Sequence, residues 1–150
     1  MVTLNEIDEN NWLMVAKLKT TEEQKQYVAP SVGIMARAYA MRAQNARAYA
    51  ITHEENIVGI LLVRDLDEEP ACYELQQLLI DYRFQNKGYG QQALRLIIHQ
   101  LKREGKYDCI ELCVKMSDAS AIHTYEKVGF TDSGYIDPEV PDSYNMVYRF

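Results

Sequence analysis

The chain has 150 residues, of which 47% are hydrophobic and 25% are charged, and its formal net charge at pH 7 is −6. This composition predicts one globular domain with its own core, and the negative charge disfavours nucleic acids and anionic membranes as partners. No apolar run could span a bilayer and the first residues do not resemble a signal peptide, so we expect a cytoplasmic protein. The spacing of Cys72, Cys109 and Cys113 fits no metal site, which predicts buried, reduced thiols and no metal.

The first third of the chain predicts one strand followed by helices. Residues 2–6 alternate apolar and polar side chains, as in a strand, and Asn10 or Asn11 can cap the helix that follows. Capping-box spacing at residues 20–23 begins a second helical stretch, which must end before Pro30 because the residue preceding a proline avoids helical geometry. The predicted helical stretches cover residues 12–18, 20–28 and 31–44.

The middle of the chain predicts three antiparallel strands joined by short connections. Residues 46–51 and 57–65 are apolar and flank turn residues at 53–56, as expected for a hairpin. An acidic loop at residues 66–70 then leads into a third strand, residues 71–80, which completes a meander.

The second half of the chain predicts alternating helices and strands. A long helix ends near Glu104, where Gly105 can form a left-handed cap, and its apolar residues fall on one face. A strand at residues 108–114 follows, and the intervening helix predicts that it pairs in parallel with the strand at 73–80. The remaining predicted elements are a helix at 118–127 and strands at 130–135 and 144–150. This order predicts an α/β fold of the α+β kind, with a twisted, mixed but mostly antiparallel central sheet flanked by helices.

The turn at residues 85–90 has the chemistry of an anion site. It joins an apolar strand to the long helix, and the first amides of a helix have no partner within the helix. Gly88 and Gly90 let the backbone bend and approach a ligand closely, and Lys87 adds positive charge at the rim. Such a turn suits phosphate or pyrophosphate, although an ordinary strand-to-helix loop would carry the same glycines.

Two motifs lie on either side of the long helix. Gln85-x-x-Gly88-x-Gly90 resembles the Q/R-x-x-G-x-G/A signature of the GNAT family of acetyl-CoA-dependent N-acetyltransferases. Residues 118–130 resemble that family's N-x-x-A-x-x-x-Y-E-K-x-G-F segment, with Asp118 in place of the usual asparagine. The resemblance implies the GNAT fold and acetyl-CoA as co-substrate. The cofactor contacts that it implies are Leu78, Leu79, Ile80, Gln85, Asn86, Lys87, Gly88, Tyr89, Gly90, Asp118 and Ala121.

The N-terminal region carries a narrower resemblance. Trp12-Leu13, Glu23-Gln24 and Tyr27-Val28-Ala29 look like the start of bacterial spermine/spermidine N-acetyltransferases, which implies a small-molecule amine, and a polyamine in particular, as acceptor. Candidate contacts for a polycation are acidic side chains such as Glu22, the cation–π surface of Tyr27, and Gln76. The alternatives that stay open are a peptide or protein amine as acceptor, a CoA-binding sensor without catalysis, and a homodimer as the oligomeric state.

Acetyl transfer needs a group that accepts the amine's proton and a group that protonates the departing thiolate. An alkylamine with a pKa of ~10.4 is almost wholly protonated at neutral pH. Tyr125 occupies the family's tyrosine position, which implies an acid beside the CoA sulfur; a purely structural tyrosine is the alternative. Gln76 stands where polyamine-type enzymes tend to carry an acid, and it cannot accept a proton as a carboxylate does. Glu74, two residues earlier on the same predicted strand face, is therefore the candidate base, with an exposed strand glutamate as the alternative.

Overall fold

Seven strands form one sheet, and helices pack on both of its faces. The computed structural model describes residues 1–150. The strands are β1 (Val2–Glu6), β2 (Arg47–His53), β3 (Asn56–Leu66), β4 (Cys72–Ile80), β5 (Cys109–Lys115), β6 (Thr131–Asp132) and β7 (Ser143–Arg149). The helices are α1 (Trp12–Ala16), α2 (Ser31–Ala40), α3 (Tyr89–Glu104) and α4 (Ala119–Val128), and 3-10 turns cover Glu23–Gln26, Arg42–Gln44 and Tyr82–Phe84. None of the helices has the length and apolar character needed to cross a bilayer.

The sheet has the strand order β1-β2-β3-β4-β5-β7-β6. Neighbouring strands are antiparallel except β4 and β5, which run parallel because α3 carries the chain back across the sheet between them. This topology confirms the predicted mixed, mostly antiparallel sheet with flanking helices.

Three predicted elements are much shorter in the structure, and the first predicted helix also ends early, at Ala16. α2 ends at Ala40, because the backbone of Met41 leaves helical geometry and a 3-10 turn follows. The predicted helical stretch at 20–28 contains only the 3-10 turn Glu23–Gln26. β6 has two residues, since the backbone of Gly134 adopts a φ of +81° and turns the chain away from the sheet.

α3 presents an apolar face to the sheet, as its periodicity predicts. The inward-facing residues of α3 are buried: Ala93, Leu94, Ile97, Ile98 and Leu101. They form one cluster with Tyr73 and Leu75 of β4 and with alternate residues of β5. On the opposite face, Val15 of α1 and Ile34 of α2 belong to a smaller cluster that includes Leu79. Each large buried side chain contributes about 1.5–3 kcal/mol, so the two clusters hold β4 at the centre of the fold.

β4 and β5 are paired at one end and separate at the other. Their parallel register contains two rungs, Tyr73 with Ile110 and Glu74 with Glu111. Beyond these rungs no residue of β4 pairs with β5, and β7 takes up the other edge of β5 along its whole length. A gap therefore opens between the C-terminal halves of two central strands.

A β-bulge in β4 lies where the strands part. Val63 of β3 pairs with Leu75, whereas the adjacent Leu62 pairs with Gln77, so that Gln76 is an extra residue in β4. A bulge bends its strand and increases the local twist. The bulge thus accounts for the separation of β4 from β5, and it also interrupts the alternation of side chains along β4.

The end of β4 is anchored by the buried carboxylate of Asp81, which is 1% exposed. Asp81 accepts hydrogen bonds from the backbone amides of Lys19 at 3.0 Å and Arg83 at 2.9 Å, and from Nε of Arg83 at 2.8 Å. Burial opposes ionisation, but these donors outweigh it and hold the pKa of Asp81 below its ordinary value. The carboxylate thereby joins the segment after α1 to the strand that borders the gap.

We predict that Asp81→Asn destabilises the protein by about 2 kcal/mol. The asparagine side chain has an NH₂ group in place of one carboxylate oxygen, and this hydrogen-bond donor would face the donors that Asp81 now accepts from. The pKa of Asp81 is lower in the folded protein than in the unfolded chain, where it is ~3.9. Ionised Asp81 therefore stabilises the folded protein at pH values above ~3.9, and this stabilisation is lost as the pH falls through the folded-state pKa. The free energies of unfolding of the parent and the variant, measured with urea, should therefore differ at pH 7 and become equal in strong acid. Equal stability at pH 7, with exposed Asp132→Asn as the control, would contradict the anchoring role.

Candidate active site

A cleft of about 620 Å³ occupies the gap between β4 and β5. The second half of β4 forms one wall, the end of β5 and the first turns of α4 form the other, and the turn before α3 closes one end. The predicted site residues that line the cleft are Tyr27, Gln76, Leu78, Leu79, Ile80, Gln85, Asn86, Gly88, Tyr89, Gly90, Asp118, Ala121 and Tyr125. Lys87, Glu74 and Glu22 are the predicted site residues that do not line it.

The turn before α3 offers a row of unpaired backbone amides. None of the amides of residues 85–91 donates a hydrogen bond to another protein atom. Asn86 and Gly88 both have positive φ, +62° and +81°, and these kinks let successive amides point toward the same space at the start of α3. Such a cradle at a helix N-terminus fits a pyrophosphate, whose charge the helix dipole also stabilises.

The side chain of Gln85 supports this cradle from behind. Gln85 and Gln24 exchange hydrogen bonds between their amide groups at 2.8 and 2.9 Å, and Nε2 of Gln85 also donates to the carbonyl oxygen of Ile80 at 2.9 Å. The motif glutamine is therefore occupied in fixing the turn to β4 and to the 3-10 turn Glu23–Gln26. These bonds hold in place the chain segment that carries the unpaired amides.

The open edge of β4 provides a second set of polar groups. The amide of Asp81 donates to the carbonyl oxygen of Val58 on β3, and in an antiparallel pair alternate residues point their backbone groups toward the partner strand. Leu79 therefore directs its backbone groups to β3, whereas Leu78 and Ile80 direct theirs into the gap. An extended ligand with amide groups could pair with this edge as a further strand would.

α4 brings Asp118 and Tyr125 to the opposite wall. Asp118 caps the helix by accepting the amide of Ala121 at 3.3 Å, and burial raises the pKa of this carboxyl. The half-buried ring of Tyr125 lies 5.9 Å from that of Phe130, and its hydroxyl has no hydrogen-bond partner in the protein. Burial, with a smaller effect of the Asp118 carboxylate, raises the pKa of Tyr125. The hydroxyl therefore stays protonated at neutral pH and has a proton to donate.

Tyr27 spans the opening of the cleft. Its hydroxyl lies 3.1 Å from Oγ of Ser117 and donates to the Ser117 carbonyl oxygen at 3.3 Å. The segment between α1 and α2 is thus tied to the β4 side through Gln24 and to the α4 side through Tyr27. This segment narrows the entrance to the cleft. The sequence does not reveal the contacts that hold it there.

The structure does not bring Glu74 into the cleft. Oε1 of Glu74 lies 2.9 Å from Nε of Arg64, its cross-strand neighbour, and the same guanidinium also binds Gln44. A carboxylate that already neutralises an arginine is a poor proton acceptor. The placement therefore gives no support to the prediction that Glu74 is the base. The sequence missed this pairing because it depends on the register between β3 and β4.

The other acidic candidates also lie elsewhere. The side chain of Glu22 is 88% exposed and forms an ion pair with Lys25 at 2.5 Å, outside the cleft. The acidic loop at 66–70 follows β3 and leads into Cys72, the first residue of β4, and the cleft borders the other end of that strand. These charges therefore do not form the substrate approach that the sequence predicts.

A carboxylate from a different loop lies beside the cleft instead: Oδ1 of Asp142 accepts a hydrogen bond at 3.3 Å from the hydroxyl of Ser143. Cys113 and Ser143 line the cleft, and Cys113 is exposed rather than buried as predicted, because it alternates with the inward-facing residues of β5. Partial burial of the sulfur raises the pKa of the Cys113 thiol; a hydrogen bond with Ser143 lowers this pKa, and the negative charges of Glu74, Asp137 and Asp142 raise it further. We call these three carboxylates the acidic rim. No sequence signal identifies it, because the loop at 133–142 reaches β5 only through tertiary folding.

The comparisons with known proteins agree with this geometry. The profile of the Acetyltransferase (GNAT) family matches residues 8–130. The chain belongs to the GNAT acetyltransferase family. A curated relative, the spermine/spermidine N(1)-acetyltransferase of Bacillus subtilis (strain 168), is 22% identical over 141 residues, which are 91% of each chain.

Solved structures share the fold over nearly the whole chain. The aminoglycoside acetyltransferase AAC(6')-Ib in complex with coenzyme A and kanamycin has a TM-score of 0.80 at 21% identity, over 99% of this chain and 95% of that one. The Vibrio cholerae spermidine N-acetyltransferase in complex with CoA and spermine has a TM-score of 0.78 at 17% identity, with the same coverage. This GNAT protein is an acetyl-CoA-dependent N-acetyltransferase.

The residues of the cleft fit acetyl-CoA, which supplies the acyl group as an activated thioester. The unpaired amides at 85–91 suit its pyrophosphate, and the open edge of β4 at Leu78 and Ile80 suits the amides of its pantetheine arm. Tyr125, on the opposite wall, can protonate the departing thiolate. No group of three or more His, Cys, Asp or Glu side chains is arranged to hold a metal ion.

We predict that Gly88→Val leaves the protein folded but weakens acetyl-CoA binding strongly. A Cβ at Gly88 would meet no atom within 4 Å, so the effect comes from the φ of +81°, which a β-branched residue resists. Gly134→Val is a matched control, because Gly134 has the same φ and equally open surroundings outside the cradle. Calorimetric titration with acetyl-CoA measures both affinities. If both variants bind as the parent does, the cradle is not the pyrophosphate site.

We predict that Tyr125→Phe lowers turnover and leaves acetyl-CoA affinity nearly unchanged, because only the hydroxyl is removed. General acids contribute about 10²–10⁴-fold, and the loss should be at or below the low end because a thiol with a pKa of ~8.5 leaves readily. Steady-state kinetics and calorimetry separate the two effects, with exposed Tyr82→Phe as the control. A loss of affinity at full turnover would assign Tyr125 to binding instead of proton transfer.

Proposed function

We propose that this acetyltransferase transfers the acetyl group to a primary amine of a small polycation of the spermidine and spermine class. The observation that carries the proposal is the position of Asp142 in the acidic rim: its Oδ1 accepts a hydrogen bond at 3.3 Å from the hydroxyl of Ser143, which lines the cleft beside Cys113. The similarity to the Bacillus subtilis spermine/spermidine N(1)-acetyltransferase, which extends over 91% of both chains, supports the same acceptor class.

The rim is suited to an acceptor that carries more than one positive charge. An amine that is to be acetylated must be neutral when it attacks, so its own charge gives no binding energy at that moment. A second ammonium group on the same molecule keeps its charge, and Asp137 and Asp142 can hold it outside the cleft. Because Arg64 neutralises Glu74, the two loop aspartates supply most of the attraction.

The reaction then follows from the groups around the cleft. The amine nitrogen attacks the carbonyl carbon of the thioester, the new C–N bond forms, and the C–S bond breaks as the thiolate departs. Tyr125 gives the thiolate its proton. Asp118 is the one residue of the cleft lining that carries a carboxyl group, and this group caps α4. The amine's proton therefore passes to water at the opening of the cleft.

We predict that a panel of amines, assayed by thiol release from acetyl-CoA, gives the highest kcat/KM with spermidine or spermine. The KM for spermidine should rise with salt, because ions screen charges beyond a Debye length of ~8 Å at 0.15 M. The double change Asp137→Asn and Asp142→Asn should raise that KM about 2- to 30-fold, since exposed ion pairs contribute ~0.2–1 kcal/mol each. Glu54→Gln with Glu55→Gln, on the hairpin between β2 and β3, is the charge-matched control.

Four results would argue against the proposal. A preference for neutral or anionic amines, or a KM that does not change with salt, contradicts a polycationic acceptor. Turnover confined to peptide amines would assign the enzyme to peptide acetylation. Binding of acetyl-CoA without turnover of any amine would favour a sensor.

A further inference from the structure

The bulge residue of β4, Gln76, is held in one orientation by Arg37. Nη1 of Arg37 donates to Oε1 of Gln76 at 3.2 Å, and the half-buried guanidinium of Arg37 forms no ion pair. A guanidinium has donors and no acceptor, so it can pair only with the oxygen of a side-chain amide. Arg37 therefore determines which way the amide of Gln76 is turned.

This orientation leaves the amide nitrogen free. Nε2 of Gln76 has no hydrogen-bond partner in the protein, and no buried side-chain nitrogen or oxygen lacks a partner, so Nε2 is accessible. Gln76 lines the cleft, which is the open space beside the bulge. Gln76 therefore presents a hydrogen-bond donor to the cleft, whereas a free carboxylate at this position would present an acceptor.

The position of Gln76 matches the expected position of the acyl group. A strand rises about 3.3 Å per residue, which places Gln76 about 13 Å from Ile80 at the cradle end of β4. A pantetheine arm that follows the open edge of β4 from the cradle runs toward the bulge. Its thioester then lies near the point where β4 and β5 part, with Gln76 beside it.

We propose that Nε2 of Gln76 donates a hydrogen bond to the acyl oxygen of bound acetyl-CoA, and that Arg37 is a positioning residue that fixes this amide. When the amine attacks, the carbonyl π electrons move onto that oxygen; they return as the C–S bond breaks. A donor aimed at the oxygen stabilises the charge in between. The positive charge of Arg37 on the far side of the amide polarises the N–H bonds and strengthens the donor. The proposal rests on acetyl transfer alone and is independent of which amine is the acceptor.

The direct test is the infrared carbonyl stretch of acetyl-CoA labelled with ¹³C at the acyl carbon. A hydrogen bond to the acyl oxygen lowers this frequency, so the label should absorb at lower wavenumber on the parent enzyme than in an aprotic solvent. Gln76→Met removes the donor and should return the frequency toward the aprotic value, and Arg37→Met should shift it part of the way. The binary complex with acetyl-CoA is sufficient, so no acceptor is needed.

Kinetics with the best amine of the panel give a second measurement. Removal of one oxyanion donor typically costs about 10²–10³-fold in kcat, and we expect about 10-fold or more for Gln76→Met because backbone amides of β4 also face the gap. Affinity for CoA, which lacks the acyl oxygen, should stay within about twofold. The matched controls are Gln100→Met, which loses a hydrogen bond to Tyr49 far from the cleft, and Arg42→Met, on the exposed 3-10 turn after α2.

Two outcomes would overturn the inference, and the first needs no variant. A bound carbonyl that absorbs at the aprotic frequency on the parent enzyme would show that no donor reaches the oxygen. A Gln76→Glu variant with kcat at or above that of the parent would show that the position works as an acceptor, because a glutamate paired with Arg37 offers the cleft only oxygen.

Discussion

The separation of β4 from β5 is the constraint on which the rest of the structure depends. Two rungs of parallel pairing hold the strands together, and the bulge at Gln76 then turns β4 away. If the pairing continued, the backbone groups of Leu78 and Ile80 would be satisfied by β5 and the space between the strands would close. The cleft, its polar edge and the access of Tyr125 to a ligand all follow from this one interruption of the ladder.

An open sheet in the middle of a small protein leaves backbone groups unpaired, and the surrounding contacts compensate for this. Asp81 ties the end of β4 to the segment after α1, and Gln85 ties the cradle to Ile80 and to Gln24. The hydrophobic cluster under α3 packs against one face of β4, and the cluster under α1 and α2 packs against the other. These contacts position the polar edge in the protein without a ligand, which reduces the ordering free energy that binding has to supply.

Much of this fold could be predicted from the sequence, because α3, the strands and the glycine turn each carry a strong local pattern. The two motifs were sufficient to place Gly88, Asp118 and Tyr125 at the cleft. The sequence failed where a role depends on register. Simple alternation predicted that Glu74 and Gln76 share a face, and both side chains do contact arginines on the α2 side. The register between β3 and β4, however, pairs Glu74 with Arg64, which the sequence could not show. The acidic rim was missed for a related reason, since its loop aspartates come near Cys113 only in the folded chain.

Binding of acetyl-CoA at this site requires that the unpaired amides of residues 85–91 hold its pyrophosphate. Amide hydrogen exchange followed by NMR, with and without CoA, measures each of these groups separately. The expected result is rapid exchange in the free protein and strong protection of several of these amides when CoA is added. Unchanged exchange across residues 85–91, with protection elsewhere in the chain, would contradict this assignment.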